Sequence, residues 1–131
     1  DFVPQETISN ELEVKANLGV ASKMKRAFME RAVQANLVRK ALDQSTYPTI
    51  ITGDFNDVPS SYTYKTIKSD MQDAFLKKGF GIGHSFVGLS PTLRIDYILA
   101  DHSWQIKGWE SIDEDLSDHH LILSDLLLLK K

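Results

Sequence analysis

The chain has 131 residues, 42% of them apolar and 25% charged, and a formal net charge of -3. That composition fits one globular domain, or one part of a larger one, and argues against a disordered, collagen-like or low-complexity chain. The absence of cysteine excludes disulfide frameworks, thiolate metal sites and cysteine nucleophiles, and the acidic balance provides no global field to draw the chain to nucleic acid.

Residues 1–18 are acidic and weakly patterned, and read as an irregular arm or loop; residues 19–131 read as the structured part. Asp1-Phe2-Val3-Pro4 has neither a basic region nor a leader core, so no signal peptide is expected there, and the missing initiator methionine points to a piece of a longer chain. From Val20 to Leu42, the residues Met24, Phe28, Ala32, Ala35, Val38 and Leu42 recur at intervals of three and four, which predicts an amphipathic helix of about six turns packed on a sheet. Its other residues are rich in Lys and Arg, read as a solvated face. Asp43 to Pro48 ends the helix, and the β-branched run Thr49-Ile50-Ile51-Thr52 predicts a buried strand. Gly53 to Pro59 is a polar loop, Ser60 to Ser69 a short helix, and Ala74-Phe75-Leu76 a small apolar anchor. Gly79, Gly81 and Gly83 mark a loop, and His84 to Val87 a strand. Further strands follow at Arg94 to Ala100, Trp104 to Trp109 and Leu121 to Leu129, with an acidic loop at Asp113 to Asp118. In the first of these, Ile95, Tyr97 and Leu99 share one face and Arg94, Asp96 and Ile98 the other. Helix, strand and polar loop in succession indicate α/β organisation. No apolar run approaches the roughly 18–20 residues that span a bilayer.

Three constellations carry chemistry. Gly53-Asp54-Phe55-Asn56-Asp57 follows a strand, where open α/β sheets place ligand sites. The glycine permits a sharp turn and close approach. Asp54 and Asn56, two apart on an extended backbone, can hold and orient a water; an Asx turn explains the same residues equally well. Asp96 sits inside an apolar strand, where a carboxylate is costly unless paired, either with a base such as Arg94 or with a histidine it orients. Ser117-Asp118-His119-His120 joins acid and imidazole, suited to metal binding and proton transfer. Adjacent histidines on an extended chain face opposite ways, so one at most faces a site.

Taken together and in this order, Gly53-Asp54-Phe55-Asn56, Arg94-Ile95-Asp96-Tyr97-Ile98 and Ser117-Asp118-His119 resemble the endonuclease/exonuclease/phosphatase superfamily. The helix before Gly53 and Ser61-Tyr62-Thr63-Tyr64 after it look like a bacterial branch, some of whose members look membrane-anchored through an N-terminal region. The resemblance covers about residues 20–131 and implies the C-terminal half of a DNase I-like four-layer α/β sandwich, with a mixed, mainly antiparallel sheet and flanking helices. In the family the first half contributes an Asn and a Glu to the divalent metal and a further His near the phosphate; none of these is identified in this chain.

The resemblance implies phosphoester hydrolysis by in-line attack of water, assisted by Mg²⁺ or Mn²⁺. Asp54 would hold or deprotonate the water and contact the metal. Asn56 would orient Asp54 and touch a phosphoryl oxygen, and His119 would contact the phosphate. Asp96 would hydrogen-bond His119 and favour its charged form, and Asp118 would bind or orient the metal. Asp57, Ser61, Tyr62, His84 and Arg94 are expected at the rim. The substrate class stays open among nucleic acid, lipid and small-molecule phosphate esters, as does the compartment. Two alternatives stand beside this reading. One is a non-catalytic piece that needs its missing half or associates with itself through an exposed sheet face. The other is nucleic-acid binding through the basic helix.

Overall fold

In a computed structural model, residues 5–79 and 94–130 are described, and they fall into two units, one ending at Gln34 and one starting at Ala35. The described residues of the first unit belong to helix α1, Gln5–Gln44, whose last residues belong to the second. Residues 5–18 are thus helical, not an irregular arm. Between Gln5 and Leu18 there is no Gly or Pro, while Glu, Leu, Ala and Lys, all good helix formers, make up half of the residues. Gly19 is tolerated inside α1, and Pro48 stands shortly beyond its end.

The second unit adds β1 (Ile50–Asp54), α2 (Tyr62–Lys68), β2 (Gln72–Asp73), α3 (Ala74–Lys78), β3 (Asp96–Ala100), β4 (Trp104–Ile112) and β5 (Leu121–Leu128). Ser61 caps α2 by accepting from the Tyr64 amide, and Asp73 caps α3 by accepting from the amides of Phe75 and Leu76. Among the described residues two sheets form, a three-stranded one ordered β1-β3-β2 and a two-stranded β4-β5 ribbon, and every pairing is antiparallel. The β4-β5 register shifts between Ile106 and Gly108. The predicted His84–Val87 strand, with Gly81 and Gly83, lies outside the described residues.

Strand β3 is the centre of the packing. Tyr97 and Leu99 join Ala35, Tyr64, Ile67 and Met71 in one buried cluster, with Val38, Leu42, Ile51 and Phe55 against it. Ile98, on the opposite face, joins Ala74 and Ile106, backed by Trp109, Ile122 and Leu126. The alternation seen in the sequence therefore serves two layers: α1 and α2 pack on one side of β3, and α3 with the β4-β5 ribbon on the other. Strand β1 differs from expectation. It lies at the sheet edge and is mostly exposed, with only Ile51 half-buried, because its β-branched residues report strand preference and not depth.

Candidate active site

The antiparallel register sets Asp54, the last residue of β1, directly opposite Asp96, the first of β3. Side chains so opposed share a face, with Cβ atoms about 4.5–5.5 Å apart, and two like charges there repel. A cation between them removes the penalty. His119, which follows the acidic loop, meets both carboxylates: its Nδ1 lies 2.7 Å from Asp96 Oδ2, and its Nε2 lies 4.0 Å from Asp54 Oδ2. One ligand atom from each of the three residues falls within 4.8 Å of the others. The hydrogen bond to Asp96 raises the imidazole pKa, desolvation opposes it, and the charges of Asp96, Asp54 and Asp118 add to the rise.

The loops are held by their own side chains. Asp54 Oδ1 accepts from the Asn56 amide at 2.6 Å, an Asx turn, and leaves Oδ2 toward His119. Asn56 sits at φ 53°, in the left-handed region that Asn tolerates better than most residues. A Cβ placed on Gly53 would meet no atom within 4 Å, so the space beside it is open to a ligand. Ser117 Oγ accepts from the His119 amide at 3.1 Å and fixes the turn that presents the imidazole. An open cavity of about 530 Å³ is lined by Thr52, Gly53, Asp54, Asp96, Ser117 and His119, with His120, Leu121 and Ile122 also on its wall. His120 Nε2 lies 3.7 Å from Asp113 Oδ1.

Of the predicted site residues, the fold gathers Asp54, Asp96 and His119. Asp118 is exposed and lies outside that trio. Asn56 contributes its amide to the turn, and its side chain does not line the cavity. Asp57, Ser61 and Tyr62 do not line it either: the Asp57 carbonyl meets Tyr97, Ser61 caps α2, and the Tyr62 hydroxyl donates to Asn36 Oδ1 at 2.8 Å. His84 lies outside the described residues. Arg94 is corrected outright. It is not at a rim but 6% exposed, 2.7 Å from Asp73, which is 2% exposed, so it pairs with Asp73 and not with Asp96. Its guanidinium lies over the rings of Phe75, Tyr97 and Tyr64. Asp73, placed just before the apolar Ala74-Phe75-Leu76, carried a helix-cap signal that would have flagged it.

The model of the endonuclease/exonuclease/phosphatase family matches residues 13–119. The chain belongs to that family. Solved structures agree. A family member from Bacteroides vulgatus is 28% identical, with a TM-score of 0.64, over 75% of this chain and 44% of that one. A functionally unknown conserved protein from Enterococcus faecalis is 21% identical, with a TM-score of 0.65, over 77% and 45%. A mannosyl-6-phosphatase from Bacteroides thetaiotaomicron is 22% identical, with a TM-score of 0.59, over 75% and 46%. At their identities the last two speak to the fold alone. The fold is the DNase I-like α/β fold of the family, and the chain spans less than half the length of these neighbours. No curated protein sequence matches the chain significantly.

Proposed function

We propose that this endonuclease/exonuclease/phosphatase chain carries part of the active site of a divalent-metal-dependent phosphoesterase. The observation that carries the reading is the opposed pair Asp54 and Asp96 with His119 between them. Nothing in ordinary folding requires two carboxylates face to face at a cavity, but binding a cation and an anionic ester does. The donor set fits the ion: two carboxylates brought close together suit Mg²⁺ or Mn²⁺. Asp54 would hold it, with Asp96 within reach. When bound, the ion supplies positive charge to the phosphoryl oxygens of the transition state.

The chain's own groups do the rest. Asp54 Oδ2 takes the proton of an attacking water, whose oxygen bonds to phosphorus as the ester oxygen leaves with its bonding electron pair. Asp96 holds Nδ1 of His119, which fixes the ring and leaves Nε2 to donate to a phosphoryl oxygen when the imidazole is charged.

The test is hydrolysis of bis-p-nitrophenyl phosphate with Mn²⁺ or Mg²⁺, beside a direct Mn²⁺ titration. Asp54→Ala should lower turnover about 10²–10⁴-fold. Turnover without metal, or equal turnover in the variant, sinks the reading. Self-association remains a second reading because Leu121, Leu123 and Leu127 are exposed on one face of β5, with Asp125 among them. A monomer mass that stays constant with concentration in light scattering removes it.

A further inference from the structure

The Tyr97 hydroxyl lies 2.8 Å from two main-chain carbonyls, those of Asp57 and Arg94. A phenol has one proton, so the two acceptors share it. Asp57 belongs to the turn that carries the chain away from Asp54, and Arg94 to the segment that leads into Asp96. Two further contacts join the same strand ends: the Phe55 amide donates to the Ile95 carbonyl at 2.8 Å, and the Phe55 and Tyr97 rings stand 4.8 Å apart. The phenol itself cannot wander. Tyr97 is 1% exposed, packs 4.7 Å from the Tyr64 ring, and has the Arg94 guanidinium 4.8 Å from its centroid. Its burial holds the phenol pKa far above the ordinary value, so the hydroxyl stays a donor throughout the working pH range.

A phenylalanine would fill this core space as well as a tyrosine does. The hydroxyl is therefore the informative part, and both of its acceptors lie on segments that flank a site carboxylate. We propose that Tyr97 is a positioning residue: its hydroxyl clamps the turn after Asp54 to the strand that begins at Asp96, and so fixes the distance between the two carboxylates. The inference rests on the phosphoesterase reading of that pair.

Tyr97→Phe and Tyr64→Phe form a matched test. Each keeps its ring and loses one hydroxyl of the same aromatic cluster. The Tyr64 hydroxyl donates to Asp73 Oδ2 at 2.6 Å and is close to the Arg94 guanidinium, but bonds to neither of the two carbonyls that Tyr97 holds. Mn²⁺ affinity is read from the paramagnetic resonance of the free ion, and exchange of the Phe55 and Asn56 amides is read by NMR. Tyr97→Phe should weaken Mn²⁺ binding about 10–100-fold, the usual cost of losing a residue that orients a metal ligand, and should speed exchange at both amides. Tyr64→Phe should lower stability and leave affinity and both amides as in the wild type. Unchanged affinity in Tyr97→Phe, or equal losses in the two variants, overturns the clamp. A wild-type chain that binds no Mn²⁺ removes the metal from the proposed function, and amide exchange then decides alone: unchanged protection in Tyr97→Phe overturns the clamp, and faster exchange confined to that variant upholds it.

Discussion

The bond between His119 and Asp96 makes a pH-dependent contribution whose sign follows from the shift. The imidazole pKa is raised in the folded chain, chiefly by that bond. The folded state therefore holds its proton more tightly than the unfolded state, whose value is about 6.5. The resulting stabilisation is complete below that value and fades as pH rises through the folded pKa. Asp96→Asn removes the charge that holds the proton. In metal-free buffer, urea midpoints of wild type and Asp96→Asn should differ most below the ordinary imidazole value of about 6.5 and converge as pH rises through the raised folded value. A gap that widens with pH contradicts the assignment. Asn56 allows a second test at the same scale. Its φ of 53° suits Asn or Gly, and its amide, not its side chain, makes the observed bond to Asp54. Asn56→Gly should keep the turn and the Mn²⁺ affinity, while Asn56→Ala should cost about 1–2 kcal/mol in urea unfolding. A large loss of affinity in Asn56→Gly would return the carboxamide to the chemistry.

Between helix and strand, the pair of Arg94 and Asp73 joins the lead-in of β3 to the cap of α3, with the Tyr64 hydroxyl as a third member. Arg94→Leu leaves the Asp73 carboxylate buried without its cation, and should cost about 3–5 kcal/mol by urea denaturation. A cost below about 1 kcal/mol would place the pair among weak surface bridges instead. This pair also marks a limit of the sequence. The two-sided alternation of β3 is legible because period-2 patterning is local, and so are the short helix within residues 60–69 and the Asp54, Asp96 and His119 motifs. The partner of Arg94 is not, since Asp73 is distant in sequence and only the fold brings it near. Asp118 neighbours His119 in sequence, is exposed at the bend before it, and acts on the imidazole through its charge. The depth of β1 was misjudged because β-branched residues favour any strand, central or edge. The arm at residues 5–18 was misjudged because weak hydrophobic patterning hid good helix propensity.

At the scale of the whole molecule, the division at Gln34 has a consequence for stability. Both buried clusters, and Asp54, Asp96, Tyr97 and His119, lie in the unit that starts at Ala35. Before it, the described side chains of α1 are nearly all exposed, large apolar ones such as Leu12, Leu18 and Met24 included. Exposed helix contributes little tertiary stability, since most helical stability in proteins comes from packing. A chain begun at Arg31 keeps about one turn ahead of Ala35, which lets the first unbonded amides of the shortened helix fray without disturbing the core residue. Such a chain should lose far-UV helical signal in proportion to residues 5–30. It should keep its urea unfolding free energy within about 0.5 kcal/mol of the full chain, the range of changes that touch no packed feature, and its Mn²⁺ affinity should be unchanged. Loss of cooperative unfolding, or of Mn²⁺ binding, would show instead that the first unit supports the second.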